Sequence, residues 1–342
     1  MHTPIHCCKD YGRRINVIIL NANEMPFDLP ESLKEEILNE LSLVNWNRYP
    51  DIYCDKLRTA LGDYVQKEYE MIAVGNGSDE LISLVMRALM GYGDRVMIVE
   101  PTFSMYSFYA KLNGIEAINF NTEDDFELNI ELLKKTLNIK KPKMLILCNP
   151  NNPTGNCIEI EAIKDIASDY DGYLVLDEAY YEFHGASGIG LLENYKNVII
   201  LRTLSKAFGL AGLRVGYAIA TKNIIESIFS VKSPYNVNSL TQTAAIKVLE
   251  HIEVIKGRIE IIKSERERMY NQLNKMKNLK VYPSKANFLL IKSLNSYQIS
   301  EKLNLEKVKI RYFENQSLKD FIRVSIGSRE ENDRFIEVLG GI

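Results

Sequence analysis

The stretch TLSKAFGLAGLRVGY, residues 203–217, decides the fold class, because it places charged residues directly after an apolar run. That run, NVIILRT at residues 197–203, has the β-branched composition of a buried strand. Lys206 follows it, and Arg214 comes eight residues later. A lone lysine is most often a solvated surface residue, yet a long charged side chain between an apolar strand and AFGLAGL is poorly placed for that role. Lys206 is therefore a candidate functional amine.

Two upstream stretches supply chemical partners for this amine. PNNPTG, residues 150–155, is typical of an Asn-Pro turn, and YLVLDEAYYEF, residues 173–183, predicts a strand that ends in an acid, Asp177. An amine that forms an imine, a carboxylate that charges a ring nitrogen and a cation that binds a phosphate are what an amine-handling cofactor requires. Lys206, Asp177 and Arg214 therefore predict a pyridoxal phosphate (PLP) enzyme.

The composition is that of a globular enzyme. Apolar residues make up 46% of the 342 residues and charged residues 25%, enough for one large core and a smaller second one. The net charge of −3 leaves no broad basic surface for nucleic acid. The five cysteines are odd in number and without CxxC spacing, so we expect reduced thiols in the cytoplasm and neither disulfides nor a metal site. No apolar run is long enough for a signal peptide or a membrane span.

Apolar runs alternate with helical lengths through most of the chain. Helices are predicted near residues 79–90, 105–112 and 160–168, between runs such as RVMIVE, MLILCNP and YLVLDEA. This alternation predicts an α/β fold with a mostly parallel sheet covered on both faces. In such a sheet the active site lies at the carboxyl ends of the strands.

The pattern changes towards the carboxyl terminus. Two long helices are predicted near residues 239–251 and 253–276, followed by short strands and a final helix. Mixed short strands and helices predict a smaller α+β domain. We expect a large PLP-binding domain at residues 27–245 and a small domain built from residues 1–26 and 246–342.

Eight strings, in the same order, carry a resemblance to a known family: LNANEMPF, NRYPD, GNGSDE, PTFSMY, PNNPTG, LDEAYYEF, TLSKAFGLAGLRVGY and FIRVSIGSREEN. Over nearly its whole length the chain resembles the fold-type I PLP-dependent aminotransferases and, within these, the histidinol-phosphate aminotransferase group. Any one string is weak evidence, whereas eight in order are specific. The resemblance implies the PLP-dependent transferase fold of type I, a homodimer, and an amine substrate that reacts with a 2-oxo acid.

The resemblance assigns roles to the polar residues at the predicted strand ends. Lys206 is implied to hold PLP as an imine and, once freed, to move a proton as general acid and base. Asp177, which could otherwise merely end a strand, is implied to keep the pyridine nitrogen protonated. Tyr180 and Asn152 are implied to bond the cofactor 3′-oxygen. A core or lid position for Tyr180 and a plain turn for Asn152 are the alternatives.

GNGSDE opens a predicted helix, and the exposed N–H groups of such a start form an anion site. An ordinary Ser or Asp N-cap is the alternative. A guanidinium and a hydroxyl near Lys206 would complete the phosphate site. The predicted phosphate-binding residues are Gly77, Ser78, Asp79, Ser205, Arg214 and, more weakly, Thr203.

Two aromatic residues and two arginines complete the resemblance. Phe103, a core residue by default, is implied to stack on the cofactor ring. Tyr49 is implied to reach the cofactor phosphate of the neighbouring subunit, which requires a dimer. Arg323 matches the arginine that fold-type I aminotransferases aim at the substrate's anionic group, with Arg311 as a partner or as a solvated strand residue. Histidinol phosphate has no carboxylate, so these arginines are expected to bind its phosphate.

The predicted reaction is the transfer of the amino group of histidinol phosphate to 2-oxoglutarate. The alternatives are the threonine-phosphate decarboxylase of cobalamin synthesis, which the chain resembles in VYPSKANFLLIK and SPYNVNSL, and an aromatic amino acid aminotransferase. A PLP-binding effector domain of a transcription regulator is disfavoured because no winged-helix segment precedes. Ser205 and the string SREEN favour the transaminase. Met25, where the group often has an aromatic residue, is a departure that concerns the substrate and not the cofactor chemistry.

Overall fold

The computed structural model describes residues 17–314 and 317–341. The predicted small-domain segment up to residue 16, with Cys7 and Cys8, lies outside the described residues. The strands are β1 Ile18–Leu20, β2 Ile72–Asn76, β3 Arg95–Glu100, β4 Glu116–Asn121, β5 Met144–Cys148, β6 Tyr173–Asp177, β7 Val198–Thr203, β8 Val215–Ile219, β9 Lys280–Val281, β10 Phe288–Lys292, β11 Val308–Tyr312 and β12 Phe321–Ser325.

The helices are α1 Glu31–Ser42, α2 Asp55–Val65, α3 Ser78–Leu89, α4 Met105–Leu112, α5 Ile130–Lys140, α6 Ile160–Asp169, α7 Tyr181–His184, α8 Lys222–Val231, α9 Ser239–Glu250, α10 Ile252–Leu273, α11 Ser296–Leu305 and α12 Arg329–Gly340. The predicted helices all exist, and their bounds differ from the prediction by at most three residues, close to the usual uncertainty of frayed helix ends. None of the described helices combines the length and the apolar composition that crossing a membrane requires.

The larger sheet has seven strands in the order β2-β8-β7-β6-β5-β3-β4. The strands from β4 to β7 are parallel, and β8 runs antiparallel to both of its neighbours. The mostly parallel α/β sheet is therefore confirmed. The exception has a local cause, because residues 204–214 hold only the short 3₁₀ turn Ala211–Leu213, and a parallel return needs a longer crossover.

The strands of this sheet are apolar because helices cover both faces. Every residue of β5, β7 and β8 is buried, which explains their unbroken apolar runs. The carboxyl ends of β2, β3, β5, β6 and β7 meet at one edge. The antiparallel strand β8 begins at that same edge, so Arg214, the residue just before it, joins the group.

The smaller sheet has five strands in the order β1-β11-β12-β10-β9. β1 pairs parallel with β11, and the other pairs are antiparallel. The amino-terminal strand and the carboxyl-terminal segment thus share one sheet, and one cluster of buried side chains, which includes Leu57, Leu174 and Val324, continues between the two sheets. The domain division at residues 27–245 stays a prediction.

Candidate active site

A cavity of about 320 Å³ lies at the carboxyl edge of the larger sheet. The smaller sheet contributes part of its wall. The predicted site residues that line it are Ser78, Asp79, Phe103, Asn152, Asp177, Tyr180, Thr203, Ser205, Lys206, Arg214, Arg311 and Arg323. Parallel strand ends, a helix start and the two arginines of the small sheet therefore converge on one space.

Lys206 lies in this cavity three residues after β7. Its ammonium donates a hydrogen bond of 2.8 Å to the carbonyl of Ala22. Burial and, to a smaller extent, the nearby positive charge of Arg323 lower the pKa of this amine to about 8. About a tenth of the amine is therefore neutral at pH 7, which is the form that attacks a carbonyl.

Asp177 ends β6 and is 3% exposed. The Tyr106 hydroxyl donates to its Oδ2 over 2.7 Å, and the backbone N–H of Ala179 donates to its Oδ1 over 3.0 Å. Burial raises the pKa of the carboxyl to about 6, while these two hydrogen bonds oppose that rise. Both donors are neutral, so the carboxylate can still pair with a protonated ring nitrogen.

The start of α3 packs against the Arg214 side chain. Gly77 has a φ of +81°, and a Cβ built there would lie 2.5 Å from Arg214 Nη2. A Cβ on Gly216 would lie 2.3 Å from the backbone nitrogen of Ser78. A side chain at Gly77 would therefore collide with the guanidinium, and one at Gly216 with the backbone at the start of α3. These two glycines let the N–H groups of the helix start and the Arg214 cation lie close together, as an anion site requires.

Arg214 completes this end of the cavity. Its Nη2 pairs with Asp79 Oδ2 at 3.0 Å, and its Nη1 lies 3.5 Å from Ser205 Oγ. Thr203 has a structural role, because its hydroxyl donates to the Val215 carbonyl at 3.1 Å and accepts from the Ser205 N–H at 3.0 Å. Thr203 therefore holds the loop that carries Ser205.

Arg323, on β12, lines the cavity from the smaller sheet and is 8% exposed. Its Nη1 donates to Asn152 Oδ1, and its Nη2 donates to the Asn21 carbonyl over 2.7 Å. Its buried Nε has no hydrogen-bond partner among the described residues. Arg311 is its cross-strand neighbour on β11. Arg311 and Arg323 thus place two positive charges side by side, and the Nε donor of Arg323 stays unpaired among the described residues. This wall of the cavity therefore favours a negatively charged ligand.

Comparison with known proteins identifies the family. The profile of the family described as aminotransferase class I and II matches residues 15–339. The chain belongs to this family. Curated histidinol-phosphate aminotransferases are similar to this aminotransferase: that of Caldanaerobacter subterraneus subsp. tengcongensis is 42% identical over 94% of this chain and 91% of the relative. That of Pyrococcus furiosus is 45% identical with the same two coverages.

A solved structure agrees with the sequence comparisons. The histidinol-phosphate aminotransferase of Sinorhizobium meliloti in complex with pyridoxal 5′-phosphate has a TM-score of 0.87 and 25% identity, over 95% of this chain and 91% of that one. The fold is that of the fold-type I aminotransferases, and the cofactor of this aminotransferase is PLP. Its substrates are an amino compound and a 2-oxo acid.

The cavity of the aminotransferase fits PLP. The Lys206 amine, the Asp177 carboxylate and, at the start of α3, Ser78 with the Arg214 guanidinium all line it, and these groups suit an imine, a ring nitrogen and a phosphate. Phe103 lies half-buried at the same cavity, with its ring edge-to-face on Tyr106 at 5.7 Å. An apolar ring face is therefore available for a planar cofactor.

Tyr49 is one of two predicted site residues that do not line the cavity of the aminotransferase. It is 80% exposed and stacks on Tyr235 with ring centroids 4.5 Å apart. Its reach into a neighbouring subunit stays a prediction. Gly77 does not line the cavity either, but it acts there through its close approach to Arg214.

Among the described residues, sequence reasoning missed two side chains that form hydrogen bonds to the predicted cavity residues. Tyr106 bonds Asp177, and Asn23 donates to the Tyr180 hydroxyl over 3.0 Å. The signal for Tyr106 was its position in the string PTFSMY, three residues after Phe103. Asn23 lies in the string LNANEMPF, but its partner is 157 residues away, so no local pattern joins them.

Proposed function

We propose that this enzyme is a histidinol-phosphate aminotransferase, which converts histidinol phosphate and 2-oxoglutarate to imidazole acetol phosphate and glutamate. The single observation that carries the proposal is the pairing of Arg311 and Arg323 across β11 and β12 at the cavity wall. Their combined charge, with the unpaired Nε of Arg323, suits a dianionic group better than a single carboxylate. The identities of 42% and 45% to curated histidinol-phosphate aminotransferases support the same substrate.

We assign the cofactor roles as follows. When bound, PLP supplies the electron sink that stabilises a substrate carbanion. Lys206 would hold the cofactor and then, as a neutral amine, would move a proton between the substrate carbon and cofactor atom C4′. Asp177 would keep the pyridine nitrogen protonated. Tyr180 would donate to the 3′-oxygen, and Asn152 would bond the same atom.

The remaining residues bind and orient the cofactor. Phe103 would cover one face of its ring. Backbone N–H groups at the start of α3 and side chains around Arg214 would hold the phosphate. The residues proposed for this phosphate site are Gly77, Ser78, Asp79, Ser205 and Arg214, with Thr203 supporting Ser205.

The substrate assignment is tested with the purified holoenzyme and two phosphorylated amines. With histidinol phosphate and 2-oxoglutarate we expect stoichiometric glutamate, measured by coupled assay. With threonine phosphate we expect no released carbon dioxide. Carbon dioxide release from threonine phosphate, together with no glutamate from histidinol phosphate, would overturn the proposal in favour of the decarboxylase.

A variant tests whether the arginines recognise the phosphate. Arg311→Met should lower kcat/KM for histidinol phosphate by about tenfold or more, because one charge-assisted contact is lost, and should leave histidinol little changed. Lys309→Met is the matched control, since Lys309 is an exposed cation of the same strand that does not line the cavity. Equal losses for histidinol phosphate and histidinol in Arg311→Met would contradict phosphate recognition.

We also propose that the enzyme is a homodimer whose subunits share their active sites through Tyr49. Support comes from the exposed aromatic side chains around it, of which Trp46 is 78% and Tyr53 is 51% exposed. Mixing inactive Lys206→Ala and Tyr49→Ala subunits should restore activity, because each hybrid has one intact site. An active enzyme that sediments as a monomer would refute the dimer.

The unpaired cysteines among the described residues support a cytoplasmic location.

A further inference from the structure

We propose that Asn23 is a positioning residue that fixes the direction of the Tyr180 hydroxyl proton, so that Tyr180 donates to the cofactor and not to the protein. The inference rests on the role proposed above for Tyr180. It deepens that role by naming the side chain that sets the tyrosine's hydrogen bond.

The donor and acceptor roles at this contact follow from chemistry. Asn23 Nδ2 lies 3.0 Å from the Tyr180 hydroxyl oxygen, and the two residues are 1% and 4% exposed. An amide nitrogen can only donate, so the tyrosine oxygen accepts and its single proton must point elsewhere. Among the described residues, no group accepts that proton. Tyr180 lines the cavity, so the proton faces the space that the cofactor fills.

The orientation of the Asn23 amide is fixed by Ser325. The Asn23 backbone N–H donates to Ser325 Oγ over 2.9 Å, and Ser325 Oγ donates to Asn23 Oδ1 over 3.1 Å. Reversing the amide would point its NH₂ at Ser325 and leave the serine proton, on a residue 1% exposed, without an acceptor. The oxygen therefore faces Ser325 and the NH₂ faces Tyr180.

The backbone of Asn23 is held just as firmly. Its φ is +55°, in the left-handed region that asparagine tolerates better than most residues. Asn287 Nδ2 donates to its carbonyl over 3.0 Å. Ser325 ends β12 and Asn287 precedes β10, so Asn23 is tied to the smaller sheet. Tyr180, by contrast, stands between β6 and α7. The Asn23 side chain therefore links the small sheet to Tyr180 and fixes where the tyrosine hydroxyl lies relative to that sheet.

The contact also tunes Tyr180 as a donor. Burial raises the pKa of Tyr180 to about 12, so the hydroxyl keeps its proton at physiological pH. A hydroxyl that accepts a hydrogen bond is polarised and becomes a stronger donor. A stronger bond to the cofactor 3′-oxygen stabilises negative charge on that oxygen. It therefore lowers the pH at which the bound cofactor's visible absorbance changes.

The test is a pH titration of the visible band of the holoenzyme, which does not depend on turnover. Tyr180→Phe should raise the midpoint by about one pH unit, the value of a lost hydrogen bond, and Asn23→Ala by about half of that. The double variant should titrate like Tyr180→Phe alone, because Asn23 acts through the tyrosine. Asn23→Asp, which keeps the shape but faces Tyr180 with an acceptor, should raise the midpoint at least as far as Tyr180→Phe.

The matched control is Asn332→Ala. Asn332 is also fully buried, but it bonds Gly327 and Glu265 and does not line the cavity, so it should lose stability without moving the midpoint. The inference is overturned if both Asn23 variants keep the wild-type midpoint while Tyr180→Phe shifts it. It is also overturned if the shifts of the two single variants add fully in the double variant. An unshifted Tyr180→Phe refutes the proposed role of Tyr180 itself and the inference with it.

Discussion

Tyr106→Phe should slow amino transfer without releasing the cofactor. The hydroxyl of Tyr106 donates to Asp177 Oδ2 over 2.7 Å, and the two residues are 1% and 3% exposed. Phenylalanine preserves the ring and its edge-to-face contact with Phe103, so the change deletes one hydrogen bond to a buried carboxylate. Such a bond is worth about 1.5–3 kcal/mol, or about one to two powers of ten.

The direction of the effect follows from the carboxylate's pKa. Burial already raises the pKa of Asp177 to about 6, and the Tyr106 bond opposes that rise. Its loss moves the pKa further up, so a smaller fraction of Asp177 is ionised at pH 7 and the ring nitrogen is kept protonated less effectively. We expect the rate constant of the donor half-reaction, measured by stopped-flow absorbance, to fall about tenfold to a hundredfold at pH 7.

The control deletes a similar hydroxyl far from the chemistry. Tyr170 is 8% exposed and donates to the Pro142 carbonyl over 2.8 Å. Tyr170→Phe should lower the melting temperature and leave the half-reaction unchanged. If Tyr106→Phe turns over at the wild-type rate while Asp177→Asn is slow, the tyrosine does not support the carboxylate and the reasoning is wrong.

Four other outcomes are expected. Lys206→Ala should lose the PLP adduct that borohydride reduces; an adduct that persists would move the imine to another lysine. In the apoenzyme, where the pKa of Lys206 is about 8, the rate of PLP attachment should fall about tenfold per pH unit below pH 8, because only the neutral amine reacts, and should level off above pH 8. A rate independent of pH would contradict this lowered pKa. Asp177→Asn should retain PLP and lose about a hundredfold or more in rate, so near-normal turnover would refute its role. Arg323→Lys should lower kcat/KM for the amino donor by about one to two powers of ten with an unchanged PLP spectrum, whereas loss of PLP would make Arg323 a structural residue.

The cofactor half of the site was predictable because its groups stand directly at strand ends. Asp177 is the last residue of β6, and Lys206 and Ser205 follow β7 at once, so strand prediction alone places them at one edge. The antiparallel course of β8 was not predicted. It matters little for the chemistry, because Arg214 reaches the same edge from the start of that strand.

The substrate half depends on register, which the sequence leaves open. Arg311 and Arg323 face each other only because residue 311 pairs with residue 323, and a slip of one residue would turn one side chain to the opposite face. Asn23 and Tyr180 meet across 157 residues, through a loop that Ser325 and Asn287 hold. Contacts of this kind arise from tertiary packing and carry no local signal.

The charges of the cavity connect its two halves. Among the residues that the structure describes, the lining holds four cationic side chains and two carboxylates. The net charge of the chain is −3, so the positive excess is local. Arg214 is paired with Asp79. The excess therefore falls on Lys206 and on the two arginines of the small sheet. The low-dielectric walls of the cavity focus the electrostatic field of these cations on an entering ligand. The ligand that fits this field best carries its negative charge at the end that lies away from the cofactor phosphate. A phosphorylated amine that presents its amino group to Lys206 and its phosphate to Arg311 and Arg323 meets that requirement.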